Sequence, residues 1–201
     1  MNYIFRAISF IFHPLLMPLV GVIFYFSKAP RYIPSPVFKA KIFSLFILTV
    51  LLPIILYFLL KTTKQVNSIY LENVKQRIIP LLLNCFIAIL IVIKVLPPNE
   101  FVELYFFFIG ILLSTITCLV LAILSFKASI HMIATGGVLM FFIALSIHFS
   151  INLSGSIGLM FIITGAVGSS RLYLKAHDKN EIIIGLFTGI IPQLILLNYW
   201  L

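Results

Sequence analysis

Seven apolar segments, at about residues 4–27, 41–60, 78–96, 101–126, 129–149, 153–172 and 182–200, leave this chain almost no polar surface with which to fold in water. Each approaches the roughly 20 residues that a helix needs to cross a bilayer. Of the 201 residues, 62% are hydrophobic and 9% charged, and the mean hydropathy is +1.21, whereas soluble domains carry about 25% charged residues. A chain this apolar cannot cover itself with polar groups, so its solvent is largely lipid. The sequence therefore predicts an all-α polytopic transmembrane bundle of six or seven spans, a single integral membrane domain over residues 1–201. The expected location is the cell (inner) membrane.

The first segment contains His13-Pro14 and Pro18, which predict a kinked or partly interfacial helix. A Pro-rich basic loop is expected over 28–40, and the longest polar connection over 61–77. No signal-peptide cleavage pattern follows the apolar start, which reads as a retained span. Cys85 and Cys118 lie inside apolar runs and read as small core residues. The net charge of +9, from 14 Lys+Arg against 5 Asp+Glu, points to anionic headgroups and topology. It does not point to nucleic acid, because no soluble domain is left to carry a basic face.

Polar groups beside a span are costly and are by default functional candidates. Helices connect end to end, so the connections at 61–77, 127–128 and 173–181 share one side of the membrane. That side gathers Lys75, Arg77, Lys127, Ser129, His131, Arg171, His177, Asp178 and Glu181. Ser170-Arg171 is followed after five residues by His177, with Glu181 four residues later. If the last helix begins near His177, positions 177 and 181 share a face, and the carboxylate can hold one imidazole nitrogen as N–H while the other remains a base or nucleophile. Arg171 offers a planar fork suited to phosphate oxygens. The third, fifth and seventh segments all present helix N-termini here, which favour a bound anion.

Ser170-Arg171-x5-His177-x3-Glu181 resembles the third signature, SR-x5-H-x3-D, of the type 2 phosphatidic acid phosphatase superfamily, which includes lipid phosphatases and vanadium haloperoxidases. Ala128-Ser129-Ile130-His131 resembles its second signature, PSGH, keeping the Ser and His. The first, K-x6-RP, is matched loosely: Arg77 takes the arginine's place, Pro80 comes three residues later, and Tyr70 stands where the lysine should be. The resemblance covers about residues 70–185 and implies a phosphatidic acid phosphatase-like core. It implies that His177 attacks phosphorus to give a phosphohistidine, that Glu181 orients it in place of the family's Asp, and that His131 protonates the leaving alkoxide. Arg171, Arg77 and the Ser129 hydroxyl or backbone N–H would hold phosphate oxygens, with Lys75 or Lys127 as candidates for the absent lysine. The implied activity is a metal-independent lipid phosphatase without cofactor, acting on a phospholipid or polyprenyl phosphate. Phosphatidate, phosphatidylglycerophosphate, polyprenyl diphosphate and lipid A phosphates are candidate substrates. An in-line displacement at phosphorus needs positioning, charge stabilisation and one neutral and one protonated imidazole. The five acids are too scattered for a two-metal site.

Other polar residues read as structural. Lys175 and Lys179 suit headgroup snorkelling, Asp178 suits a helix cap, and His13 and His148 read as structural because parity separates them from the cluster. Gly136-Gly137, Gly155, Gly158, Gly165 and Gly168 suggest close helix packing. With Arg77, Lys75 and Arg171 set aside, six basic residues lie on the motif side and five opposite, so the positive-inside rule sets no orientation. The loose first motif and the Glu-for-Asp change also admit a non-hydrolytic protein that binds or moves anionic lipids. A histidine-ligated haem or metal protein fits less well.

Overall fold

The computed structural model describes residues 2–67 and 73–201; Tyr70 lies outside the described residues. Among the described residues the regular structure is all helical. Two short helices, α1 (Asn2–Ile11) and α2 (Met17–Lys28), come first. Six helices long and apolar enough to cross a membrane follow: α3 (Ser35–Thr62), α4 (Val74–Val95), α5 (Val102–Ile123), α6 (Ile130–His148), α7 (Ser154–Tyr173) and α8 (Lys179–Tyr199). The chain is an integral membrane protein. At 1.5 Å per residue the 22 residues of α5 reach about 33 Å, close to the thickness of a bilayer's hydrocarbon.

The first apolar segment is broken in two. Pro14 has no N–H, and its ring disfavours a helical turn at the residue before it. The chain leaves α1 after Ile11, the Leu16 N–H donates to the His13 carbonyl at 2.9 Å, and α2 restarts at Met17 with Pro18 in its first turn, where a missing N–H is tolerated. Phe5 of α1 stacks on Tyr173 at the end of α7, with ring centroids 4.2 Å apart. The Tyr25 hydroxyl of α2 donates to Glu103 at the start of α5, 2.9 Å away. The broken pair thus runs from the motif end of the bundle to the opposite end. The loop expected over 28–40 stops earlier: Ser35 and Pro36 open α3, because the fixed φ of proline suits a first helical turn. Further along α3, Pro53 cannot follow a regular turn, and the helix widens to π geometry over Ile47–Leu51 just before it.

Glycines bring α6 and α8 close enough to set the motif end. A Cβ at Gly189 would overlap the Ile133 carbonyl, and one at Gly136 would stand 2.8 Å from the Leu186 carbonyl oxygen. A Cβ at Gly185 would stand 2.8 Å from the Ser129 carbonyl oxygen. These two parallel helices therefore meet backbone to backbone, as small residues allow in lipid. Gly155, Gly158 and Gly165, expected to serve packing, face open space. The core between the helices is aromatic: Phe107 stacks on Phe141 with centroids 4.1 Å apart, and Phe24 lies on Phe142. At the end away from the motifs, buried Glu103 bonds both Tyr25 and Arg31, Arg31 also bonds the Tyr25 hydroxyl, and His148 Nε2 stands 3.5 Å from the same carboxylate. That ion cluster ties α2, α5 and α6 together far from the motifs and gives His148 a structural place.

Candidate active site

The turn between α7 and α8 delivers His177. Helix α7 ends in a Schellman cap: Lys175 takes the left-handed conformation, φ +52°, its N–H donates to the Leu172 carbonyl, and the Ala176 N–H donates to the Arg171 carbonyl. The chain reverses there, and the Lys127 Nζ donates to the Ala176 carbonyl at 3.1 Å. His177 follows at once, 8% exposed. Asp178 then caps α8, accepting from the Glu181 N–H at 2.8 Å, while the Asp178 N–H donates back to Glu181 Oε2 at 3.2 Å. That is a reciprocal capping box.

The same Glu181 oxygen accepts from His177 Nδ1 at 2.7 Å. The extra methylene of Glu over Asp lets one carboxylate reach both the cap N–H and the imidazole. With Nδ1 holding the proton toward Glu181, the neutral ring carries its lone pair on Nε2. Burial, then the positive charges of Arg77, Arg171 and Lys127, pull the His177 pKa down to about 3, with the Lys127 backbone acting in the opposite direction. The ring is therefore neutral at pH 7. The Glu181 carbonyl also accepts the Ser129 N–H at 3.0 Å, joining the second motif to the third where Gly185 admits the close approach. This bond occupies the Ser129 backbone N–H that was expected to hold phosphate. The Ser129 hydroxyl is fully buried and, among the described residues, has no hydrogen-bond partner.

His131 stands in the first turn of α6. Its Nε2 lies 3.1 Å from the Ser9 carbonyl, which can only accept, so Nε2 carries the proton. Ser9 also joins α1 to α7: the Arg171 Nη1 donates to the Ser9 hydroxyl at 3.4 Å, the Ser9 and Ser170 hydroxyls lie 2.7 Å apart, and the Ser170 hydroxyl donates to the Phe5 carbonyl at 2.6 Å. The third motif's serine thus anchors the N-terminal helix beside its arginine. From α4, buried Arg77 donates to the Ala128 carbonyl at 2.9 Å, crossing from the first motif region to the second.

His177, His131, Ser9, Arg171 and Arg77 face one cavity of about 710 Å³, a volume typical of small-ligand sites. Its polar wall carries Arg6, His13, Arg77, His131, Arg171 and His177. Much of the remaining wall is apolar, from Met17, Leu81, Ile87, Phe107 and Ile111 among others. A cationic, imidazole-lined head joined to an apolar chamber matches an amphiphile with an anionic group. Comparison with protein-family models, curated proteins and solved structures returned no match. The likeness to the phosphatidic acid phosphatases rests on the motif residues.

Of the residues singled out by sequence, the fold gathers His177, His131, Arg171 and Arg77 on the cavity wall, with Glu181 behind His177. Lys75 is not among the wall residues. It is exposed on the turn Val74–Arg77, where its N–H donates to the Asn73 side chain. Lys127 sits behind His177, on the Ala176 carbonyl, and is not a wall residue either. His13, Ser9 and Arg6 do reach the wall, and sequence reasoning missed them. Parity follows the ends of unbroken spans, whereas the His13-Pro14 break carries an interior residue to the site. The signal available was a histidine and proline together inside an apolar segment.

Proposed function

We propose that this protein is a membrane lipid phosphatase, in the manner of the type 2 phosphatidic acid phosphatases, cleaving a phosphomonoester or diphosphate headgroup in the cell membrane. The observation that carries this reading is the meeting of His131, His177, Arg77 and Arg171 on the polar wall of an otherwise largely apolar cavity. The lipid's phosphate lies against the arginines while its chain stays in the apolar chamber. His177 Nε2 attacks phosphorus, and the bond from phosphorus to the lipid oxygen breaks. That oxygen takes a proton from His131 Nδ1, which receives it from the headgroup's own protonated phosphate oxygen on binding, since Nε2–H is held by Ser9. Water then attacks the phosphohistidine, returns a proton to His131 and frees phosphate and neutral His177. The arginine guanidinium groups offset the charge that grows on the phosphoryl oxygens.

Phosphate release by purified protein from phosphatidate, phosphatidylglycerophosphate and polyprenyl diphosphate in mixed micelles tests the reading. The wild type releases phosphate from at least one of them, and His177→Ala releases essentially none. Equal release by both proteins removes His177 as the nucleophile.

A further inference from the structure

His13 is held in one tautomer on the polar wall. The break ahead of Pro14 leaves its ring outside both α1 and α2, and the Leu15 N–H donates to His13 Nδ1 at 3.3 Å. With Nδ1 accepting, the neutral ring carries its hydrogen on Nε2. The ring meets His131 edge-on, with centroids 5.5 Å apart and planes at 77°, and both rings line the cavity. The neighbouring α1 residue Ser9 fixes the His131 tautomer through its carbonyl. Among the described residues that wall holds three arginines, three histidines and no carboxylate. A side chain needed only to fill space beside His131 requires neither a ring nitrogen fixed by the backbone nor a place on this wall.

The geometry points to His13 as a substrate-contacting residue, its Nε2–H donating to a non-bridging phosphoryl oxygen of the bound headgroup. The broken N-terminal helix pair then belongs to the active site. The inference rests on the reading of this cavity as a phosphate site, and goes beyond it by assigning a residue that none of the three motifs contains.

The test uses the full chain, purified in detergent, as wild type, His13→Asn, His13→Leu and His13→Gln. Asn keeps an acceptor for the Leu15 N–H but has no donor at the Nε2 position, Leu removes both, and Gln restores a longer N–H donor. Two quantities are read: the affinity for inorganic phosphate, from the rise in unfolding temperature it produces, and KM and kcat for lipid phosphate. The expected result is a phosphate affinity about ten- to a hundredfold weaker in the Asn and Leu variants, as for loss of one hydrogen bond to a charged group. KM rises in parallel, Gln recovers part of the loss, and the unfolding temperature without phosphate stays at the wild-type value in the Asn variant. Wild-type phosphate affinity and KM in both the Asn and Leu variants overturn the assignment while leaving the hydrolase reading intact. Phosphate binding that weakens in the variants of a wild type that cleaves no lipid phosphate supports the His13 contact and overturns the hydrolase. A wild type that neither binds phosphate nor cleaves lipid overturns both.

Discussion

Glu181 does two jobs with one carboxylate, capping the N-terminus of α8 and holding His177 Nδ1 at 2.7 Å. Glu181→Gln keeps the length but can present an amide N–H where an acceptor is needed, so it disturbs the imidazole's tautomer. Turnover is expected to fall by roughly 10²- to 10⁴-fold, as when the orienting carboxylate of a histidine is made an amide. Steady-state kinetics beside an unfolding curve separates that loss from the ~1 kcal/mol expected for a weakened cap. The His177 pKa of about 3 gives a second prediction. Nitrogen NMR of labelled protein, assigned with His177→Ala, finds this ring neutral at pH 5, where an ordinary histidine is protonated. A His177 signal titrating near 6.5 shows instead that the Glu181 carboxylate at 2.7 Å outweighs burial and the flanking cations. The linkage has a definite sign. Between pH 6.5 and about 3 the unfolded chain binds a proton at His177 that the folded chain does not, so this group lowers stability as pH falls through that window and leaves it unchanged above.

At the scale of elements, the backbone contact between α6 and α8 carries the second and third motifs together. Gly189→Ala places a Cβ against the Ile133 carbonyl, where no flexible side chain can give way. The helices must separate, at about 1–3 kcal/mol. Thermal unfolding is expected to show that loss, and phosphate release to fall further, because His131 and His177 ride on the two separated elements. An unchanged unfolding temperature contradicts the close approach. The six long apolar segments were legible because hydrocarbon thickness sets helix length, though α3 opens at Ser35, ahead of the segment expected from 41. Which glycines pack was not legible, since small residues give no hint of which helix face meets a neighbour. Gly185 and Gly189 make the contact, and Gly155, Gly158 and Gly165 do not.

For the whole molecule, the connections that parity assigned to one side do meet, and Arg77, His131, Arg171 and His177 reach one cavity from three helices and a turn. That much was readable from residue spacing and span order. The part played by residues 2–28 was not, because a broken helix escapes both the spacing rule and the parity rule. His13 and Ser9 therefore emerged only from the fold. The direct test of the central claim is rapid-quench labelling with a lipid phosphate carrying ³²P in the headgroup. The account predicts acid-labile, base-stable label on the wild-type protein within the first turnover, mapped to His177 and absent from His177→Ala. Turnover by the wild type with no label on any histidine, or label that persists in His177→Ala, contradicts it.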